Sequence, residues 1–85
     1  MSVDVNGKKI LVGSKVKIIH INPRITEFLP VEEVRDINSM LHDILEVYEV
    51  SEEYVRVEKI FNRGEGRTES HRLTLLSDEF ELIDN

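Results

Sequence analysis

A chain of 85 residues buries only roughly 60–65% of its unfolded surface, so it builds one modest core. Its 40% hydrophobic content suits a globular domain, whereas 33% charged residues and no Trp argue against a broad lipid-facing surface. The absence of cysteine excludes a disulfide framework and thiolate chemistry. No segment approaches the roughly 20 apolar residues of a membrane helix, and residues 1–7 lack the basic end and apolar stretch of a signal peptide. The expectation is one soluble, cytoplasmic domain spanning 1–85, without membrane association.

The net charge of −6 is unevenly spread. Residues 1–24 set Lys8, Lys9, Lys15, Lys17 and Arg24 against Asp4, a balance of +4. Residues 25–61 hold ten acids against Arg35, Arg56 and Lys59, a balance of −7, and residues 62–85 carry −3. Such a body repels phosphate at long range and attracts basic partners.

In chain order, Asn6-Gly7 stands between two short alternating runs and tolerates the positive φ angles of a two-residue hairpin turn, which predicts a small hairpin over 3–10. Over 15–21, Val16, Ile18 and His20 fall on one face with the lysines on the other, predicting the first main strand with His20 half buried. Pro23 lacks an amide donor and breaks the ladder, so a loop leads to Pro30. Pro30 suits the first turn of a helix, Glu32 and Glu33 sit beside its positive end, and Val31, Val34, Ile37 and Met40/Leu41 recur every three or four residues. A short helix over about 31–41 is predicted.

Residues 44–50 and 54–61 are rich in Val, Ile and Tyr and are separated by Ser51-Glu52-Glu53. They predict a central hairpin whose Leu45 and Val47 face Val55 and Val57 in the core. Residues 62–70 contain two glycines and almost nothing apolar, which predicts a mobile loop. Alternation returns over 71–75 and 80–83 around a turn at 77–79. Five or six short strands with local turns close best as a small antiparallel barrel, with the helix inserted between the first main strand and the central hairpin.

The motifs VGSKVKII at 12–19 and LLSDEFELI at 75–83, around a long proline-bearing loop and a central hairpin, resemble an SH3-like barrel. More narrowly, residues 12–19, 31–41, 54–61 and 71–83 resemble the successive motifs of a family of uncharacterised bacterial small-barrel proteins. In that pattern glycine usually follows the helix, where His42-Asp43 stands here; Asp tolerates a left-handed backbone better than most residues. The resemblance implies architecture and carries no site residue.

His20, His42 and His71 could gather with Glu69 and Asp43 around a metal, but no ligand-pair spacing supports this, and no metal or cofactor is expected. Ser39, Ser51, Ser70 and Ser77 lie in turn or helix-end contexts without a paired histidine, and the acid pairs Glu32-Glu33, Glu52-Glu53 and Asp78-Glu79 read as solvated turns, so no catalytic residue and no enzyme activity is expected. Gly64-Glu65-Gly66 lacks the third glycine and the lysine of a phosphate loop, leaving Arg63 and Arg67 as possible clamps for an acidic partner. Phe28, Tyr48 and Tyr54 make a thin platform for a proline-rich peptide.

The leading expectation is therefore a non-catalytic protein-interaction module, inhibitor- or immunity-like, that presents Glu46, Glu49, Glu52, Glu53, Glu58, Tyr48 and Tyr54 to a basic protein. The alternative is a nucleic-acid-binding small barrel using Lys8, Lys9, Lys15, Lys17 and Arg24. A homodimer through strand edges fits either expectation.

Overall fold

Runs of β-branched residues alternating with charged ones form the strands of this chain, of which the computed structural model describes residues 2–85. The elements are β1 (Lys15–Ile18), a 3-10 turn (Pro23–Ile25), α1 (Val31–Asn38), β2 (Ile44–Val50), β3 (Val55–Gly64), β4 (Arg67–Leu75), a second 3-10 turn (Ser77–Glu79) and β5 (Phe80–Asp84). The strands pair antiparallel in the order β4-β3-β2-β1-β5. Leu73 and Leu75 of β4 and Phe80 of β5 come from opposite ends of that order, yet share one buried cluster with Ile10, Val16, Ile18, Ile37, Met40, Val47, Val55 and Val57. The sheet therefore curls around a single core, as a mainly β small antiparallel barrel left open between β4 and β5. The expected inward face of the hairpin is present, with Val47, Val55 and Val57 in the core and Leu45 packed against it, but only Val47 and Val57 stand directly opposite; Val55 opposes Val50 and Leu45 opposes Val16.

The helix lies between β1 and β2 as predicted but ends at Asn38. Pro30 precedes it, and its carbonyl accepts the Val34 N–H at 3.0 Å. Ile37 and Met40 bury the end of the apolar stripe while Val31 stays 69% exposed, so α1 docks by its last turn. The left-handed residue after the helix is His42, with φ 74°, and not Asp43; histidine shares the enrichment of Asn and Asp in this region. His42 N–H reaches the Ile18 carbonyl at 2.7 Å, which ties the helix exit to β1.

Three local expectations are corrected. Residues 62–70 are not a loop: β3 and β4 run on through Phe61↔Glu69, Asn62↔Thr68 and Gly64↔Arg67 to a two-residue turn at Glu65-Gly66. Polar residues on both faces imitate a loop in composition, but the ladder hydrogen bonds come from the backbone and need no apolar side chain. Arg63 and Arg67 thus lie on strands. The Asn6-Gly7 hairpin is replaced by a wider turn around a single Val3↔Lys9 bridge, because the Asp4 carboxylate accepts the N–H groups of Asn6 (2.9 Å) and Lys8 (2.8 Å) and fixes a side-chain-closed turn instead. β1 stops at Ile18, since the N–H groups of Ile19 and His20 both turn to the Glu79 carbonyl; His20 is exposed and outside the strand.

Glu65 and Gly66 have φ of 52° and 74°, the positive pair that a type I′ hairpin turn requires. Asparagine tolerates the first of these positions better than glutamate. Glu65→Asn is expected to raise stability by about 0.5 kcal/mol, read as a higher urea midpoint at unchanged slope.

Candidate functional site

The outer face of the curled sheet carries most of the sequence-predicted acidic set, and a backbone irregularity collects it. Val47 pairs with Val57 and Glu49 with Arg56, so β2 spends two residues where β3 spends one, a β-bulge at Tyr48. Opposed residues share a face, and Arg56 points away from the core because Val55 and Val57 point into it. The bulge thus places Tyr48 and Glu49 on the outer face together, beside Glu46, where strict alternation would have turned one of them inward.

Glu46 and Glu58 each sit one residue beyond the Val47–Val57 pair, and with Tyr48 and Arg72 they line an open cleft of about 350 Å³. Like charges across a ladder repel, and Arg72 relieves part of this: its Nε donates to Glu58 Oε2 at 2.9 Å from the register position directly opposite. That hydrogen bond and the Glu58 charge push the Arg72 guanidinium above its ordinary pKa. Arg56 and Arg72 each hold their guanidinium carbon 5.9 Å from the centre of the Tyr48 ring, within cation–π range. Arg56 Nε is buried with no hydrogen-bond partner among the described residues.

Tyr54 joins this set through its hydroxyl, which donates to Glu49 Oε2 at 3.4 Å, and its carbonyl closes the hairpin turn by accepting the Ser51 N–H at 2.8 Å. Glu52 and Glu53 are exposed at the tip of that turn. Phe28 is 90% exposed on the long loop and makes no ring contact with either tyrosine, so the three aromatics do not form one platform. Sequence reading missed Arg56 and Arg72, whose role depends on the bulge and on cross-strand register.

The alternative basic set is scattered. Lys15 stands between Glu46 and Asp84, Lys17 is flanked by Ile44 and Glu81, Lys8 and Lys9 lie on the amino-terminal turn, and Arg24 is on the first 3-10 turn. The three histidines do not converge, for His20 and His42 are exposed and Asp43 pairs with Lys59 at 2.5 Å. His71 and Glu69 do meet a third group, Asp36 of α1, with Arg63 among them. Among the described residues no helix is long and apolar enough to cross a membrane. Comparison with protein-family models, with curated proteins and with solved structures finds no match to this chain, which leaves its own residues to carry the functional reading.

Proposed function

We propose that this chain is a non-catalytic protein-interaction module whose β2–β3 hairpin docks a basic partner, in the manner of a small acidic inhibitor. The observation that carries the proposal is the bulge at Tyr48, which gathers Glu46, Tyr48, Glu49 and Glu58 on one face below the Glu52-Glu53 tip. A lysine or arginine from the partner fits between Glu46 and Glu58 with its stem against the Tyr48 ring, taking the place that Arg72 now shares. The exposed tip carboxylates steer the encounter and the cleft supplies the contact that holds it. The lysines do not favour a nucleic-acid reading, since register sets Lys15 and Lys17 beside carboxylates.

The test compares the wild type with Glu52→Lys/Glu53→Lys and with Glu46→Gln as immobilised baits in the native cell extract at low and high salt. The captured protein is identified, purified and titrated against each. The expected result is a basic protein released by salt, bound at least about tenfold more weakly by the charge-reversed tip. Equal binding to all three baits, or recovery of RNA or DNA in place of protein, would overturn the reading.

A further inference from the structure

We propose that Asp36, Glu69 and His71 form a binding site for a zinc-type divalent cation, with Arg63 as the cation that competes for it. The site exists because the β3–β4 hairpin is longer than its composition suggests. Glu69 and His71 are two apart on β4 and so share a face, and the extended hairpin brings that face against Asp36 near the end of α1. One donor atom from each of the three residues lies within 4.8 Å of the others. His71 Nε2 and Asp36 Oδ2 are 3.2 Å apart. Zinc with bonds of about 2.0–2.2 Å spreads its tetrahedral ligands about 3.3–3.5 Å apart, so these two already stand close to ligating separation. Glu69, with a side chain 55% exposed against 15% for the other two, is free to rotate in as the third.

The ring of His71 is oriented by an edge contact from Phe61, centroids 5.4 Å apart, which helps hold Nε2 toward the carboxylates. Arg63 is the group that now neutralises them: its guanidinium pairs with Asp36, reaches Glu69 at 3.5 Å and lies 4.9 Å from the Phe61 ring centre. That arrangement shows a position where positive charge is wanted. It also shows how a metal would enter, since the Arg63 side chain is one-third exposed and can swing to solvent. The adjoining cleft, about 350 Å³, is lined by Glu32, Glu33, Asp36 and Glu69 against Arg35 and Arg63, which leaves a negative balance even before Arg63 departs. One imidazole and two carboxylates favour zinc over magnesium or calcium, which prefer all-oxygen shells. A bound ion would pin α1 to the hairpin and leave one coordination position open to water.

The test is calorimetric titration of the untagged chain with zinc chloride, and separately with magnesium chloride, for the wild type, His71→Ala and Arg63→Gln. Circular dichroism confirms that each variant is folded, and the ring nitrogens of His71 are followed by NMR. The expected results are one zinc per chain, no magnesium binding, a loss of at least about tenfold in His71→Ala, and tighter binding in Arg63→Gln because the competing cation is gone. A zinc-induced shift at His71 Nε2 accompanies saturation. Absence of zinc binding in both the wild type and Arg63→Gln overturns the proposal, as does binding that survives His71→Ala or weakens in Arg63→Gln.

Discussion

Replacing Phe80 by alanine is expected to cost about 3–5 kcal/mol, the usual range for emptying a fully buried aromatic site. A chain of 85 residues carries only about 4–13 kcal/mol in total at ordinary stability per residue, so the variant loses at least about a fifth of its stability and at the lower end unfolds. Phe80 is 0% exposed and opens β5 opposite Ile18, and its carbonyl accepts the Val5 N–H at 3.1 Å. It fills the core near the open side of the barrel, where no β4–β5 ladder can close over a void. Phe80→Leu keeps much of the volume and is expected to cost no more than about 1.5 kcal/mol. Urea unfolding of the two variants checks both figures. A loss below about 1 kcal/mol for alanine would mean that the open side collapses freely, contrary to the close packing of protein interiors.

Asp4→Ala is the second large effect, with an expected loss of about 3 kcal/mol at neutral pH. The carboxylate is 2% exposed and accepts three backbone N–H groups, from Leu82 at 2.7 Å, Lys8 at 2.8 Å and Asn6 at 2.9 Å. Removal orphans all three donors, each worth about 1–3 kcal/mol if it stays dry. Burial by itself raises the Asp4 pKa, but the bonds from Leu82, Lys8 and Asn6, aided by the Lys8 charge, outweigh it and hold the group below its ordinary value of 3.8. A depressed folded-state pKa contributes stability that is present above the unfolded value and lost as pH falls through the folded one. Asp4→Asn, which cannot titrate, should therefore lie furthest below the wild type near pH 7, and the gap should narrow below about pH 3.8. Denaturant melts across pH 2–7 measure it; a gap independent of pH would show that the ionised form has no special role.

Much of the fold was legible because period and punctuation agree: Val16 and Ile18, Val55 and Val57, and Leu73 and Leu75 alternate into the core, while Pro23 and Pro30 bracket the loop. What stayed hidden depended on the backbone or on distance along the chain. The bulge at Tyr48 leaves no mark in composition, and it decides which side chains stand beside Glu46. The polar stretch 62–70 carries no hydrophobic signal, so its strand pairing is set by the tight Glu65-Gly66 turn and by the ladder already begun at Val55. Asp36, Glu69 and His71 meet across 35 residues only because that hairpin is long. Asp4 enters the sequence reading only through its charge, because its carboxylate's bond to the Leu82 N–H joins the two ends of the chain.

The same Asp4 contact bears on how copies of the chain can meet. Leu82 N–H is taken by the Asp4 carboxylate and the Phe80 carbonyl by Val5, so the outer side of β5 is occupied over its first residues. The outer side of β4, nine residues from Arg67 to Leu75, has no backbone partner among the described residues. A sheet with two open margins can add copies without limit, whereas one with a single open margin is saturated by one reciprocal pairing. The aspartate that fastens the amino terminus therefore also covers the start of one sheet margin, which leaves β4 as the longer open edge of this sheet.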